Sequence, residues 1–387
     1  MKGGFIMAER ALAYIAQIDE IKPIPNYDRV EHARIKGWWV IVKKDEFQVG
    51  DKAVYFEVDS KVPATDERFS FLEGKQYKIK TQKMCKVYSQ GLALPISLFP
   101  EISKKKIGTD VTKILNVTYS SLEDIQRKSD GSEEKYNNMI NKHTKVFKKK
   151  IVKKIMKYEL GRKIMFFFFG SEEDKTKGFP KWIVKTDETR IENAPFYLES
   201  TDKWIKTEKL DGTSCTFAVN RLRKKKYEFI VCSRNVRQKT KDQKTYHEAN
   251  IYWKLAEKYN IEKILTHYAN KNDYSRVVLQ GEGVGFVQGN PYQLKEDKLF
   301  VFNLIIEGKR VGTVEMAEFC KQHDLLHVPI ISTEYTLPKT MEEMKLEADG
   351  FSEINPKVKR EGFVYRSVDG QKSFKNVSRE YLLKHNG

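Results

Sequence analysis

The stretch KTEKLDGTSCTF (Lys206–Phe217) places a lysine, Lys209, two residues before an Asp-Gly pair, with strand-like residues on both sides. Asp and Gly favour a tight turn, because Asp bonds its own backbone and Gly adopts backbone angles that other residues avoid. Two interpretations remain open from this stretch alone. The pair either closes an ordinary β-hairpin, or it turns the chain so that Lys209 lies at the floor of a pocket.

The charge balance favours a polyanionic partner. The chain has 387 residues, with 71 Lys and Arg against 53 Asp and Glu, a formal net charge of +18. Basic side chains near phosphates release condensed counterions, so a surplus of this size is typical of nucleic-acid-binding proteins. A general solubility role is the alternative interpretation. The length is sufficient for two or three domains with their own cores.

The cysteines and the apolar runs of the sequence indicate in which cellular compartment the protein is expected. The four cysteines form no C-x-x-C pair, which argues against a zinc site or a disulfide framework. The N-terminus lacks the apolar core and small-residue cleavage site of a signal peptide. Ile164–Gly170 is the most apolar run; it is far too short to span a bilayer and is predicted to be a buried strand. We therefore expect a cytoplasmic or nuclear protein without a membrane segment.

Residues 1–118 are predicted to form a small β-barrel domain. Trp38–Ser60 contains two strand-like runs around a polar turn, and Gln76–Ile96 alternates polar and apolar residues. Several short strands at close spacing suit an OB-fold, whose size fits oligonucleotides. Other small β-domains have a similar pattern, so composition alone leaves the choice open.

Residues 119–178 have a different composition, and we expect a basic linker or helical segment there. Eight lysines lie between Lys142 and Lys157, and the apolar residues among them recur at helical spacing. A basic face of this kind is commonly just solvated, and contact with an RNA backbone is the alternative.

Residues 179–387 have an α+β pattern with antiparallel sheets. Strand-like runs alternate with two predicted helices, Tyr246–Leu265 and Thr313–Leu325. A Lys-x-Asp-Gly sequence arises readily by chance in a lysine-rich chain, whereas a whole ordered set of motifs does not. That set consists of Lys209 in EKLDGTS, Ser233-Arg234-Asn235 in CSRN, Glu282 in GEGVG, Phe302 in LFVFN, Glu361 in REGFVYR and Lys375 in KSFKN.

This set resembles, in order, motifs I, Ia, III, IIIa, IV and V of the covalent nucleotidyltransferase superfamily of ligases and RNA capping enzymes. KTDETRIEN (Lys185–Asn193) is similar to a segment of ATP-dependent RNA ligases. Lys22–Ser60, followed by SQGLALP (Ser89–Pro95), resembles the OB domain that precedes the catalytic domain in one RNA ligase family. The resemblance implies an α+β protein with an N-terminal β-barrel (OB-fold) domain and an antiparallel-sheet nucleotidyltransferase domain of the ATP-grasp-like DNA/RNA ligase type. It covers most of the chain except residues 119–178.

The resemblance also implies catalytic roles. Lys209 would attack the α-phosphorus of ATP and carry AMP as a lysyl-AMP phosphoramidate, which requires a neutral amine. The ordinary pKa of lysine is about 10.4, and a nearby divalent metal and second lysine would disfavour the protonated form. Glu361 and Glu282 would hold Mg²⁺ or Mn²⁺, since hard cations prefer oxygen ligands. Lys375 would neutralise the α-phosphate in the transition state.

The remaining implied roles are contacts with the nucleotide or with RNA. RNA ligases commonly carry two motif V lysines one residue apart, whereas here Asn376 and Val377 follow Lys375, so either Lys372 has taken the second role or the second lysine is absent. Without the resemblance, each residue has an ordinary structural interpretation as a core phenylalanine or an exposed ion-pairing side chain. The implied contacts are Glu208 at the adenine amino group, Arg190 at the triphosphate, Arg234 at the ribose or the 5′-phosphate, Glu282 at the ribose hydroxyls, Phe302 stacked on adenine, and Lys372 in motif V.

Three functions follow from these observations. The chain ends twelve residues after Lys375, and DNA ligases and capping enzymes resemble each other in adding a C-terminal OB domain, so the sequence favours an RNA ligase. We expect a monomer that joins RNA 3′-hydroxyl and 5′-phosphate ends, with nicked duplex RNA as the preferred substrate. The alternatives are a non-catalytic RNA-binding protein on a decayed ligase fold, and a DNA ligase.

Overall fold

The computed structural model describes residues 11–119, 179–234, 236–238, 250–287 and 289–385, together with eight helical positions between 146 and 169. These residues form a front domain (residues 11–119) and a large domain (residues 179–385). The strands of the front domain are β1 (Ala13–Gln17), β2 (Glu20–Ile24), β3 (Tyr27–Ile35), β4 (Trp38–Lys43), β5 (Lys52–Phe56), β6 (Ser60–Lys61), β7 (Thr81–Met84), β8 (Val87–Gln90), β9 (Leu92–Pro95) and β10 (Thr118–Tyr119), with 3₁₀ helices at Glu67–Lys75 and Ile96–Leu98.

The antiparallel sheet β1-β5-β9 is the centre of the front domain. Its two faces pack into two separate cores, because successive side chains of a strand point to opposite sides. Ile15 and Val54 enter one core, and Tyr14 and Tyr55 enter the other. Burial on both faces explains why the sequence of these strands is apolar without a regular alternation.

The described strands of the front domain do not close into a barrel. Sheet β2-β3-β4, hairpin β7-β8 and pair β6-β10 are separate from the central sheet in their backbone hydrogen bonding. Between β4 and β8, the backbone N–H of Ile41 donates to the Ser89 hydroxyl at 3.0 Å, where a closed barrel would have a strand ladder. The prediction of an antiparallel β-domain is confirmed, and the prediction of a closed barrel is corrected.

The large domain contains two antiparallel sheets and five α-helices among its described residues. Its strands are β11 (Trp204–Lys209), β12 (Thr213–Arg223), β13 (Lys226–Cys232), β14 (Arg276–Val284), β15 (Lys298–Ile306), β16 (Lys309–Arg310), β17 (Leu326–His327), β18 (Ile330–Tyr335), β19 (Gly362–Ser367) and β20 (Ser373–Val377). Its helices are α1 (Ile251–Lys258), α2 (Ile261–Lys271), α3 (Thr313–Gln322), α4 (Met341–Ala348) and α5 (Arg379–His385), with 3₁₀ helices at Ile191–Asn193 and Pro195–Glu199.

The first sheet has the order β18-β11-β19-β20, and the second has the order β13-β12-β14-β15-β16 with β17 parallel to β15. Helices α1, α2 and α3 pack on one face of the second sheet. Met344 of α4 packs on the first sheet with Trp204 and Phe374. Lys209 and Lys375 alternate with these core residues along β11 and β20, so they project from the opposite face.

Two predicted elements differ from the structure. Ile164, Met165, Phe168 and Phe169 are helical, and Phe168 is 71% exposed, so the prediction of a buried strand at 164–170 is wrong. Most of the expected basic segment at 119–178 lies outside the described residues; Tyr119 ends β10, and the eight described positions between 146 and 169 are helical.

The predicted helix Tyr246–Leu265 is divided. Within its described part, α1 ends at Lys258 and α2 begins at Ile261, with Asn260 between them at a φ of +50°. A left-handed residue ends the α-helical hydrogen bonding, and Asn adopts this conformation more readily than most residues. No helix in the part of the chain that the structure describes is long and apolar enough to cross a lipid bilayer.

Candidate active site

Lys209 lies where the two sheets of the large domain meet. It is the last residue of β11 and lies opposite Gly362 of β19, and the next three residues lead into β12. The backbone N–H of Asp211 donates to the Tyr292 hydroxyl at 2.8 Å, and the Tyr381 hydroxyl donates to the Asp211 carboxylate. The turn is therefore held from two sides, and the interpretation as a simple exposed hairpin is wrong.

Gly212 permits a close approach between this turn and β14. A Cβ atom at Gly212 would lie 2.4 Å from the carbonyl oxygen of Gly283 and 3.1 Å from Cγ of Glu282. Only glycine fits at this distance from another backbone. The Asp-Gly pair thus brings the turn that carries Lys209 against the strand that carries Glu282.

The surroundings of Lys209 favour its charged form. Its Nζ atom lies 2.6 Å from Oε1 of Glu361. Burial lowers the pKa of Lys209, but the carboxylates of Glu361 and Glu282 outweigh burial and hold the pKa above its ordinary value. These carboxylates therefore favour the ammonium form, and the neutral amine that the reaction needs depends on a further positive charge beside them. The amine can lose its proton only when another group takes up the charge of these carboxylates.

Within the described part of the chain, Glu361 has one carboxylate oxygen without a partner, and the charge of Glu282 also acts on Lys209. Oε1 of Glu361 bonds Lys209, whereas Oε2 is buried and has no hydrogen-bond partner among the described residues. Burial raises the pKa of Glu361, and it raises the pKa of Glu282 to about 8. A buried carboxylate oxygen without a partner is costly unless a cation or donor completes it. The two carboxylates beside Lys209 are therefore suited to a divalent cation.

Lys375 and Arg234 meet at one carboxylate, that of Asp187. Lys375 is 8% exposed, and its Nζ atom lies 2.6 Å from Oδ1 of Asp187. Nη2 of Arg234 lies 3.6 Å from Oδ2 of the same residue. The positive charge of Lys375 partly opposes the rise that burial causes in the pKa of Glu361, so the charges of these two residues act on each other. The structure thus brings two predicted cations together near Lys209.

Phe302 belongs to an apolar cluster that adjoins Lys209 through Leu210. Gly281 pairs with Val301 and Gln280 pairs with Asn303, so Phe302 is the extra residue of a β-bulge in β15. A bulge redirects a side chain away from the regular alternation of its strand. Phe302 is partly buried and packs against the cluster Leu210, Val284, Tyr292, Phe300 and Val328. Phe302 thus presents an aromatic ring close to Leu210, the residue that follows Lys209.

Glu208 offers an acceptor one residue before Lys209. Its Oε2 atom accepts the backbone N–H of Glu353 at 2.8 Å, and its Oε1 atom is buried without a partner among the described residues. Burial raises the pKa of Glu208. The free acceptor is compatible with the predicted contact to an amino group.

Arg190 contacts the front domain. Its Nη2 atom lies 2.9 Å from Oδ2 of Asp59 in the front domain, and its guanidinium lies 5.7 Å from the centre of the Trp38 ring. The side chain is only 5% exposed. The structure therefore gives Arg190 an interdomain contact, while its backbone bridges that of Lys375 and its Nε and Nη1 atoms are buried without a partner among the described residues, so the contact with a triphosphate stays a prediction.

Lys372 also lies away from the site. Its Nζ atom pairs with Oδ2 of Asp202 at 2.7 Å, and its side chain is 54% exposed. The residue precedes β20 at the end of the first sheet where Arg366 pairs with Ser373, whereas Lys209 lies at the end where Gly362 pairs with Val377. Lys372 therefore does not replace the second lysine of motif V.

The sequence reasoning missed three residues that shape the site: Asp187, Tyr292 and Tyr381. Asp187 lies in KTDETRIEN, so its position in a ligase-like segment was an available signal. The two tyrosines carry no such signal, because the chain has 19 tyrosines and their contacts are long-range.

Comparisons with known proteins agree with this geometry. A family profile described as RNA ligase matches residues 202–383, and an OB-fold domain profile matches residues 12–96. Naegleria gruberi RNA ligase with PPi is 28% identical and superimposes with a TM-score of 0.75, over 98% of this chain and 99% of that chain. A comparison with curated protein sequences finds no match.

Two mutant structures of the Naegleria enzyme give similar values. One, with ATP and Mn, is 27% identical with a TM-score of 0.74, over 97% of this chain and 99% of that chain. The other, with AMP and Mn, is 28% identical with a TM-score of 0.74, over 97% of this chain and 99% of that chain. The chain therefore belongs to the ATP-dependent RNA ligase family, with an OB-fold domain in front of the ligase domain.

Proposed function

We propose that this RNA ligase joins RNA 3′-hydroxyl and 5′-phosphate ends, with nicked duplex RNA as its preferred substrate. The proposal depends on one observation: Nζ of Lys209 lies 2.6 Å from a Glu361 carboxylate whose other oxygen is buried and unpartnered. Such an arrangement holds a potential nucleophile next to a carboxylate that can accept a cation.

The first step transfers AMP to Lys209. After losing its ammonium proton, Nζ forms a bond to the α-phosphorus of ATP while the bond from that phosphorus to the pyrophosphate oxygen breaks. Lys375 neutralises negative charge on the α-phosphate, and Phe302 stacks on adenine. The products are pyrophosphate and lysyl-AMP.

The residues beside Lys209 fit a divalent cation, Mg²⁺ or Mn²⁺. Glu361 and Glu282 would hold it, and its positive charge would offset the carboxylates that keep Lys209 protonated. The described residues contain no cage of three or more His, Cys, Asp or Glu groups. Water and phosphate oxygens would then complete the shell, as Mg²⁺ usually prefers. The Naegleria enzyme with ATP and Mn supports this choice.

Two further transfers complete the reaction. The RNA 5′-phosphate takes AMP from Lys209, which breaks the phosphorus–nitrogen bond and leaves RNA-adenylate. The RNA 3′-hydroxyl then attacks the 5′-phosphorus, forms a phosphodiester and releases AMP. We assign RNA binding to the OB-fold domain at 1–118, backbone contact to the basic segment at 119–178, and adenylyl transfer to 179–387.

Incubation with Mg²⁺ and ATP labelled at the α-phosphate tests the proposal. A covalent label on the wild-type chain that is absent from Lys209→Ala supports the enzyme. A wild-type chain without any label supports the alternative, a non-catalytic RNA-binding protein on a decayed ligase fold.

Nicked duplexes that differ in one sugar test the substrate. One set has RNA at the 3′-hydroxyl side of the nick, and the other has DNA there, with all other strands unchanged. Faster sealing of the RNA set supports RNA end joining, and equal sealing of both sets supports the alternative of a DNA ligase. Single-stranded RNA of the same sequence measures the preference for a nick.

A further inference from the structure

We propose that Asp187 is a positioning residue that holds Lys375 and Arg234 in place for adenylyl transfer. This inference rests on the proposed function, in which Lys375 acts on the α-phosphate and Arg234 on the ribose or the RNA 5′-phosphate. One carboxylate would thus serve two successive steps of the same reaction.

The two oxygens of Asp187 divide between the two cations. Oδ1 lies 2.6 Å from Nζ of Lys375, which is a charge-assisted hydrogen bond, and Oδ2 lies 3.6 Å from Nη2 of Arg234. Two cations that lie this close together repel each other unless an anion lies between them. The carboxylate offsets this repulsion and fixes the direction of both side chains before a nucleotide arrives.

The backbone around Asp187 is anchored on the side that leads to motif I. The carbonyl of Thr189 accepts the backbone N–H of Lys375 at 2.8 Å. Oε1 of Glu188 lies 3.3 Å from Nη2 of Arg366 and 3.6 Å from Nη2 of Arg310. These contacts tie Glu188 and Thr189, the two residues after Asp187, to the first sheet, which carries Lys375, and tie Glu188 also to Arg310 of the second sheet.

Anchoring of this kind matters because a lysine side chain has many rotamers. Ordering such a side chain costs up to about 2 kcal/mol of conformational entropy. If Asp187 orders the side chain of Lys375 before the reaction, the ammonium group already lies where negative charge develops in the transition state. Asp187 therefore acts on the rate of transfer more than on the affinity for ATP.

The principal variant is Asp187→Asn, which keeps the size of the side chain and removes its charge. In single-turnover adenylylation with Mg²⁺ and labelled ATP, we expect the maximal rate constant to fall about 10- to 100-fold. We expect the ATP concentration for half-maximal rate to change less than about threefold. Isolated lysyl-AMP enzyme, mixed with a nicked RNA duplex, should show a similar loss in AMP transfer.

A double-mutant cycle separates positioning from a merely structural role. On a Lys375→Ala background, Asp187→Asn should reduce the remaining adenylylation rate by less than about threefold, because Lys375, the partner assigned to the α-phosphate in this step, is already gone while Arg234 remains. Losses that multiply in the double variant would overturn the proposal, as would an Asp187→Asn enzyme with wild-type rates. Asp187→Glu keeps the negative charge, and its maximal rate constant should be at least about tenfold higher than that of Asp187→Asn. Its failure to do so in a folded protein would also overturn the proposal.

The matched control is Asp202→Asn. Asp202 forms an ion pair of 2.7 Å with Lys372, close in the chain to Lys375 but outside the site, and we expect unchanged rates. Thermal unfolding of each variant shows whether it is folded. A wild-type chain without adenylylation would contradict the proposed function itself. An active wild-type enzyme whose rates are unchanged by Asp187→Asn would contradict only this inference.

Discussion

Phe302 is itself the extra residue of the β-bulge in β15, and this position sets the direction of its ring. Because the bulge leaves it opposite no residue of β14, its ring can leave the regular alternation of the strand and join the apolar cluster beside Lys209. The sequence LFVFN contains two phenylalanines, and periodicity cannot tell which one faces a ligand. The bulge makes that distinction in the fold.

We expect Phe302→Ala to weaken the use of ATP. Stacking of an aromatic side chain on a base contributes about 1–3 kcal/mol, so the ATP concentration for half-maximal adenylylation should rise about 5- to 150-fold. Phe302→Tyr keeps the ring and should stay within about threefold of the wild type. Titration of ATP in the labelling assay measures both. Equal ATP dependence of the alanine variant and the wild type would remove Phe302 from the nucleotide site.

A second prediction concerns the thiols. Cys215, Cys232 and Cys320 are buried, and burial raises the pKa of Cys232 and of Cys320 to about 12. Cys85 lies in the turn between β7 and β8 and is partly exposed. Since the thiolate is the reactive form, iodoacetamide at pH 8 should alkylate one thiol of the native protein.

Intact-mass measurement checks the thiol prediction. The adduct should disappear in Cys85→Ser, and four adducts should form after denaturation in guanidinium. Rapid native alkylation at two or more sites would contradict the burial of the other three cysteines.

Sequence motifs predicted which residues share the site but not where each side chain points. Lys209, Glu282, Glu361 and Lys375 lie together, because the motif order reflects strands that the fold brings side by side. Lys372 lies three positions before Lys375, ahead of the first residue of β20, so it is carried to the opposite end of the sheet. The direction of a side chain depends on the alternation of residues along the strand and on the end of the strand at which the residue lies. The spacing of motifs in the sequence shows neither.

At the scale of elements, the strands of the large domain were predictable and the helix boundaries were not. Regular apolar runs such as RVVLQGEGVG lie in β14 as predicted. IMFFFFG has no alternation, and a short apolar run does not distinguish a strand from a buried helical turn. The break between α1 and α2 depends on one left-handed Asn260, within a pattern whose periodicity continues on both sides.

Arg366 connects the two sheets of the large domain, and we expect its loss to be costly. Its Nη1 atom donates to the carbonyl of Phe302 at 3.2 Å, and its Nη2 atom lies 3.3 Å from Glu188. Removing one partner of a buried ion pair costs about 3–5 kcal/mol, because the other charge stays buried. Arg366→Met should lower the free energy of unfolding in urea by this amount.

Two comparisons make the Arg366 prediction specific. The double variant Glu188→Met/Arg366→Met should be destabilised less than Arg366→Met alone, because no uncompensated carboxylate remains. Asp273→Asn breaks an exposed pair with Arg221 and should cost less than about 1 kcal/mol. A cost for Arg366→Met no larger than that of the surface pair would contradict a connecting role.

For the whole molecule, the contact between the two domains depends on the segment that precedes motif I. Nε1 of Trp38 donates to Oδ1 of Asn193 at 2.6 Å, and Nδ2 of Asn193 donates to Glu57 at 2.5 Å. A Cβ atom at Gly37 would lie 2.6 Å from Cα of Glu192, so the two backbones touch. No local pattern predicts such contacts, because their partners are more than a hundred positions apart in the chain.

Glu192 lies at the centre of this contact and makes stability depend on pH. It is fully buried, its Oε1 atom lies 2.7 Å from Nζ of Lys345 on α4, and its backbone carbonyl accepts the N–H of Gly37. Burial raises the pKa of its carboxyl, but Lys345 and Arg190 outweigh burial and hold the pKa below its ordinary value. The unfolded chain therefore takes up this proton at a higher pH than the folded protein does.

Because the pKa of Glu192 is lower in the folded protein than in the unfolded chain, stability decreases as the pH falls. The contribution of Glu192 is fully present above its unfolded pKa of about 4.5 and is lost as the pH falls through the lower folded pKa. In urea unfolding, the difference between wild type and Glu192→Gln should be about 3–5 kcal/mol at pH 6 and should shrink steadily towards pH 3. Glu380→Gln, which breaks an exposed pair with Lys359, should give a small difference with little pH dependence. If the wild-type and Glu192→Gln curves stay parallel from pH 6 to pH 3, the buried carboxylate is not what couples proton uptake to the stability of the domain contact.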